Sequence, residues 1–286
     1  MASIRPVRSV VVTGTSSGIG RSTALRLDRE GWRVFAGVRS DRDGEALRAE
    51  ASERLVPLML DVTNPEQIMI ACEQVAQRVG RSGLDGLVNN AGITIPSPLE
   101  ALSLDDFRRL LDVNLTGQLA VTQAMLPQLR AAGGRIVFIS SISGRRGIPM
   151  LAAYSASKAG LAAIADGFRQ ELRGWGIGVS LVEPGSIETP IWDRGERELE
   201  AALARSPIDV EGLYGKLIAA FRKLVGRVSG QKISPDKVVF AIEHALTARR
   251  PRPRYVVGRD AHSQSLATRF LPDRVLDFVT ARYIGA

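Results

Sequence analysis

Short apolar runs alternate with amphipathic, helix-spaced stretches along almost the whole chain. Ser9–Thr13 is an apolar run short enough for a buried strand, and a helical pattern follows it to about Glu30. Arg33–Val38 and Leu55–Leu60 repeat the strand pattern. Asn64-Pro65-Glu66 then supplies an N-cap, a proline at the first helical position and an early acid, so a helix begins there. Leu84–Asn89 is the next strand. Ser103-Leu104-Asp105-Asp106 resembles a capping box and opens a long amphipathic helix that reaches about Ala131. Arg135–Ile139 and Gly178–Val182 are strands on either side of the helical stretch AAYSASKAGLAAIADGFRQEL. Ser234-Pro235-Asp236 starts another helix, and Tyr255–Val257 is the last strand.

This alternation predicts an α/β fold in which a doubly wound parallel sheet of about seven strands carries helices on both faces. Right-handed crossovers then place ligands at the carboxyl ends of the strands. No repeat, low-complexity tract or interdomain linker breaks the pattern. One domain is therefore expected over residues 1–286, with an insertion at about 190–232 and a C-terminal helical extension at about 259–286.

Composition changes this picture little. The 286 residues are 45% hydrophobic and 24% charged, ordinary proportions for a soluble globular protein. The single cysteine, Cys72, excludes an internal disulfide and suits a reducing compartment, so a cytoplasmic location is expected. His244 and His262 are too few and too isolated for a His-rich metal site, and no metal is expected. Apolar windows fall short of the ~20 residues that span a bilayer, and the N-terminus lacks a signal-peptide layout. The formal charge is +8, but 33 of the 38 basic residues are arginines spread along the chain. A nucleic-acid footprint should be clustered, so no nucleic-acid partner is expected. The one tight cluster, ARRPRPR at 248–254, reads as a solvated turn, with anionic lipid or an acidic partner as the alternative.

Candidate chemistry gathers in two places. VVVTGTSSGIGR sets Gly14, Gly18 and Gly20 in a strand-to-helix turn. Without Cβ atoms the backbone can turn sharply and approach a pyrophosphate, and the helix N-terminus supplies amides and positive partial charge. There is no Gly-Lys-Ser/Thr, which excludes a P-loop. The second strand ends VFAGVRS, with Val38 where an NAD enzyme usually has a carboxylate and Arg39 next. NADP(H) is favoured over NAD(H) on that ground; the alternative is that Arg39 is one more surface arginine.

In the second place, Tyr154 and Lys158 stand at i and i+4 of one helix, among residues no larger than serine. A free phenol has a pKa of about 10 and is a poor base at neutral pH. A neighbouring ammonium and an oxidised nicotinamide ring would both stabilise the phenolate. General acid–base work near neutrality then becomes possible.

TGTSSGIG, LDVT at 60–63, NNAG at 89–92, VNLTG at 113–117, the serine pair at 140–141, YSASK and PGSIETP at 184–190 follow one another in order. Together they resemble the motif set of the short-chain dehydrogenase/reductase family over about residues 7–190. FAGVRS, PLEAL, LDVNLTG and the tail PRPRYVVGRDA are similar to its 17β-hydroxysteroid and retinol dehydrogenase branch. The resemblance implies a Rossmann-type fold and hydride transfer between a nicotinamide cofactor and a carbonyl or alcohol. It implies that Tyr154 exchanges a proton with the substrate oxygen and that Ser141 hydrogen-bonds that oxygen. Ser140 and Ser143 compete for the second role, and spacing favours Ser141. Lys158 would hold the nicotinamide ribose and lower the phenol's pKa, while Asn114 would position a water joining Lys158 to solvent.

The same resemblance implies a cofactor site. The turn of Gly14, Thr15, Ser16, Ser17, Gly18, Ile19 and Gly20 would take the phosphates, and Asp61 and Val62 would meet the adenine. Asn89, Asn90, Ala91 and Gly92 would shape the central strand's end, with Tyr154 and Lys158 beside the ring. Ile187 and Thr189, after Pro184 and Gly185, would hold the nicotinamide amide. Family members pair through the 105–131 helix and the tyrosine helix, which implies a homodimer or homotetramer.

Residues 190–232 are rich in apolar side chains, among them Trp192, Leu199, Ile218, Phe221 and Leu224. They read either as ordinary packing or as a mobile lid over an apolar pocket. With Ile142, Ile148, Pro149 and Met150 near the serine, a steroid-, retinoid- or lipid-like small molecule is the expected substrate. Arg145 and Arg146 keep open an anionic substrate such as a 3-oxoacyl thioester. A non-catalytic nucleotide-sensing protein is the remaining alternative, and the intact serine, tyrosine and lysine set argues against it.

Overall fold

Neighbouring side chains of each central strand enter two different cores, which is why these strands read as unbroken apolar runs. A computed structural model of the protein describes residues 7–229 and 233–284. The strands are β1 (Ser9–Val12), β2 (Arg33–Val38), β3 (Leu55–Met59), β4 (Gly86–Asn89), β5 (Arg135–Ile139), β6 (Gly178–Pro184) and β7 (Arg254–Val257). They form one parallel seven-stranded sheet in the order β3-β2-β1-β4-β5-β6-β7. The helices are α1 (Gly18–Arg29), α2 (Asp41–Arg48), α3 (Pro65–Val79), α4 (Leu104–Leu111), α5 (Gly117–Ala132) and α6 (Ala152–Glu171). After β6 come α7 (Ile191–Arg205), α8 (Val210–Ser229) and α9 (Asp236–Thr247), and after β7 come α10 (Arg259–Phe270) and α11 (Asp273–Ile284).

Val11, Phe35, Leu87 and Phe138 pack against α3, α5 and α6 on one side of the sheet. Val10, Val34, Val88 and Val137 pack against α1, α2 and α9 on the other. The expected fold is the observed one: a doubly wound Rossmann-type sheet. A third apolar cluster joins Leu199, Val210, Ile218 and Phe221 of α7 and α8 to Met150 and Leu151, just before α6. The last three residues of the expected insertion, 230–232, and the last two of the extension, 285–286, lie outside the described residues.

Two elements differ from the sequence reading. Helix α2 is unanticipated, because its eight residues bury only Gly44 and Leu47, too little to show a periodic apolar face. Ser40 starts it, its hydroxyl accepting the Asp43 N–H at 3.3 Å. The long helix after Ser103 does start at that serine, whose hydroxyl accepts the Asp106 N–H at 3.0 Å. It is not uniform, however: a π-helical turn at Asp112–Thr116 separates α4 from α5. Such turns are rare overall but frequent at functional sites, and here that turn carries Asn114.

Candidate active site

β1 and β4 are sheet neighbours, yet the chain leaves them in opposite directions, toward β2 and β3 on one side and toward β5 to β7 on the other. The crevice at their carboxyl ends is therefore the place for a ligand. A cavity of about 1260 Å³ opens there, and residues from both halves of the sheet line it.

The nucleotide half is built by cross-ties between β1 and β4. The Thr13 hydroxyl accepts the N–H groups of Asn90 and Ala91, both at 2.9 Å. The Asn90 amide returns bonds to the carbonyls of Thr13 (2.9 Å) and Gly14 (3.1 Å). Gly14 has φ +67, and a Cβ there would lie 2.8 Å from the Ala91 Cα. Only glycine makes this turn without strain. The bare cradle fits a pyrophosphate, which needs backbone amides at close approach.

Ser16, Ser17, Gly18 and Ile19 face the cavity with Gly14. Thr15 lies behind them, its hydroxyl donating to the Gly37 carbonyl at 2.9 Å, and Gly20 packs on the Gly14 carbonyl. Val38 and Arg39 line the adjoining wall, Val38 buried and Arg39 exposed. Asp61 and Val62 line it too, the Asp61 carboxylate accepting the Thr63 N–H at 2.9 Å. Ala91, Gly92, Pro184, Gly185, Ile187 and Thr189 complete the lining. Asn89 does not reach the cavity: it is fully buried, with its amide donating to the Thr122 hydroxyl at 2.8 Å.

At the chemical end Ser141, Tyr154 and Lys158 line the same cavity. Ser141 caps a 3-10 turn over Ile142–Arg145, its hydroxyl accepting the Ser143 N–H at 3.2 Å. The Ser140 hydroxyl donates to the Lys158 carbonyl at 3.0 Å, so it is occupied in holding α6. The Lys158 ammonium donates to the Ile139 carbonyl at 2.9 Å and lies 5.7 Å from the centre of the Tyr154 ring. Burial pushes Lys158 down to about 8.

Burial also pushes the Tyr154 phenol up to about 12, with contact to Ser141 opposing it. This departs from the expectation of a phenol acidified by its lysine. The reason is physical: the same low-polarity wall that raises the cost of a phenolate raises the cost of the ammonium meant to stabilise it. The protein's own groups hold Tyr154 as a protonated acid.

Asn114 is fully buried beside this site. Its carbonyl accepts the Ile93 N–H at 2.8 Å, and its amide donates to the Ile93 carbonyl at 2.9 Å and to Ser157 at 3.0 Å. These three bonds tie the π-helical turn to α6 and to the strand end after Gly92.

Arg145 and Arg146 are both engaged in ion pairs, and Arg146 also lines the cavity. Arg145 pairs with the Glu183 carboxylate at 2.6 and 3.0 Å, and Arg146 pairs with Asp273 (3.0 Å) and with Asp277 of α11. The sequence reading passed over Thr13, Arg109, Arg194 and Asp260. Thr13 opens the TGTSSGIG motif, so that signal was present; Arg109, Arg194 and Asp260 come from segments remote in sequence.

A pyrophosphate cradle at a switch point, joined to a tyrosine and lysine one helical turn apart, belongs to a dinucleotide-dependent oxidoreductase. Residues 8–200 match the family model described as short chain dehydrogenase. The chain belongs to that family, and it is an oxidoreductase acting on CH–OH groups with a nicotinamide cofactor. It is 41% identical to "Retinol dehydrogenase 5" of Mus musculus over 280 residues, 94% of this chain and 86% of that one. It is 37% identical to "Estradiol 17-beta-dehydrogenase 2" of Mus musculus over 95% of this chain and 74% of that one. A short chain dehydrogenase from Burkholderia cenocepacia, solved in complex with NADP, superposes with a TM-score of 0.69 at 27% identity, covering 93% of this chain and 98% of that one.

Proposed function

We propose that this enzyme uses NADP(H) to interconvert an apolar carbonyl compound, steroid- or retinoid-like, and its alcohol. The observation that carries this reading is the convergence of Ser141, Tyr154 and Lys158 on one cavity, whose wall also carries Ile148, Leu151, Phe221 and Leu224. The substrates named in the two relatives are apolar in the same sense. Arg39 at the rim supports a 2′-phosphate, and Val38 leaves no carboxylate beside it.

In this reading the Ser141 hydroxyl donates to the substrate oxygen, and Tyr154 gives that oxygen its proton in reduction or removes it in oxidation. Lys158 donates to the ribose hydroxyls, and Asn114 holds the turn that admits a water toward Lys158. Pro184, Gly185, Ile187 and Thr189 orient the nicotinamide amide, while Asp61 and Val62 border the adenine. The bound nicotinamide supplies or accepts the hydride. Residues 190–232 act as a lid, the enzyme is a homodimer or homotetramer through α4, α5 and α6, and its location is cytoplasmic. Among the described residues no helix is long and apolar enough to cross a membrane.

The test follows NADPH absorbance with steroid ketones and retinal set against 3-oxoacyl thioesters. Turnover of the apolar carbonyls with a preference for NADPH that collapses in Arg39→Ala is the expected result. Faster turnover of the thioesters overturns the substrate assignment, and an unchanged cofactor preference in Arg39→Ala overturns the assignment of NADP(H).

A further inference from the structure

The glycine turn is not built by the β1–α1 segment alone. Ser17 caps α1 with extended backbone, makes no side-chain bond to its own helix, and precedes a first helical turn without an acid. Its hydroxyl instead accepts a hydrogen bond at 3.1 Å from the guanidinium of Arg194, 177 residues later, in the first turn of α7. Arg194 lines the same cavity as Gly14, Ser16 and Ser17. A guanidinium of α7 is thus held at the edge of a phosphate cradle, and its partner there is a neutral hydroxyl.

Three contacts fix α7 in this place. Thr189 and Pro190, which lead into the helix, press on Gly18, where an added Cβ would lie 3.1 Å from the Thr189 methyl. Gly195 sits against Thr94, where an added Cβ would lie 2.9 Å from its methyl group. One turn further on, Glu198 accepts two hydrogen bonds from Arg109 of α4, at 2.6 and 3.2 Å. A helix pinned along its first half presents Arg194 from a fixed backbone.

We infer that Arg194 is a pyrophosphate-binding residue that closes the glycine turn from the α7 side. Its planar fork matches two phosphate oxygens, and its charge complements them where the α1 amides already point. Lengthening the Ser17 contact is all that binding requires of it. Because α7 covers the substrate half of the cavity, the phosphates of the cofactor then hold the covering helix down. The inference rests on the dinucleotide reading of the site and names a ligand within it.

The experiment measures binding of ADP-ribose and of 2′-AMP by calorimetry to wild type and to Arg194→Gln. ADP-ribose carries the pyrophosphate; 2′-AMP carries the adenosine and the 2′-phosphate but lacks it. We expect ADP-ribose to weaken about tenfold or more, the scale of a charge-assisted hydrogen bond, while 2′-AMP is unchanged. Bound ADP-ribose should also slow proteolysis within 191–229 in wild type but not in the variant. Equal ADP-ribose affinity in both proteins overturns the role of Arg194 alone. Parallel loss of both fragments shows a general effect on the fold and overturns it as well. If wild type binds neither fragment, the dinucleotide reading falls, and this inference with it.

Discussion

The Arg145 guanidinium grips the Glu183 carboxylate at two points in a place where that acid is 1% exposed. The pair joins the turn that begins at Ser141 to the strand end that leads into Pro184, and Arg145 also donates to Ser265 of α10. Removing Arg145 leaves the buried carboxylate only its longer contact with Arg254, at 3.5 Å. Arg145→Ala should cost about 3 kcal/mol in urea unfolding, the low end for a buried pair because the arginine side keeps some solvent contact. A loss below about 1 kcal/mol, the scale of a surface pair, would show that Arg254 takes over the pairing with Glu183.

Replacing the phenol oxygen is the direct probe of the chemical end. Tyr154→Phe should lower kcat by ~10²–10⁴ while leaving cofactor affinity near that of wild type. Ser141→Ala should cost ~10²–10³, the scale of one donor to a developing oxyanion. A Ser140→Ala loss larger than the Ser141→Ala loss would reassign the serine role.

The two perturbed groups predict the pH profile. kcat/KM for NADPH reports ionisations of the free enzyme. Lys158, pushed down to about 8, keeps its proton below that pH and loses it as pH rises. Tyr154, pushed up to about 12, stays protonated throughout the accessible range. The profile for reduction should be flat below about 8 and fall about tenfold per pH unit above it. Lys158→Arg, permanently charged, should remove that limb; a limb that persists would belong to another group.

Gly14 gives a steric prediction. A valine there adds side-chain atoms against Ala91 and demands a backbone angle that β-branched residues avoid. Gly14→Val should abolish cofactor binding in equilibrium dialysis. Retained affinity would place the phosphates elsewhere.

Much of this was legible in the chain. Strands buried on both sides leave continuous apolar runs, and Asn64 and Ser103 mark their helices because each hydroxyl or amide oxygen meets a first-turn N–H. Tyr154 and Lys158 were visible because helical spacing puts them on one face. What escaped was long-range or local without a period. Helix α2 has a single large buried side chain, Leu47. The turn at Asn114 is set by the Ile93 backbone, 21 residues away, and the partner of Arg145 is 38 residues away. Electrostatics escaped as well: adjacency suggested that Lys158 acidifies Tyr154, but burial acts on both groups and only coordinates reveal it.

The contact between Asp260 and the Gly185 loop sets a minimum length for the working enzyme. Asp260, the second residue of α10, accepts the Ser186 N–H at 2.8 Å, and a Cβ on Gly185 would come within 2.3 Å of its carboxylate. The recognisable family segment stops at residue 200, yet the Gly185 loop is moulded by a side chain sixty positions beyond it. A protein shortened to its signature would keep most of the sheet and lose the template for that loop. Here the tail completes the tool.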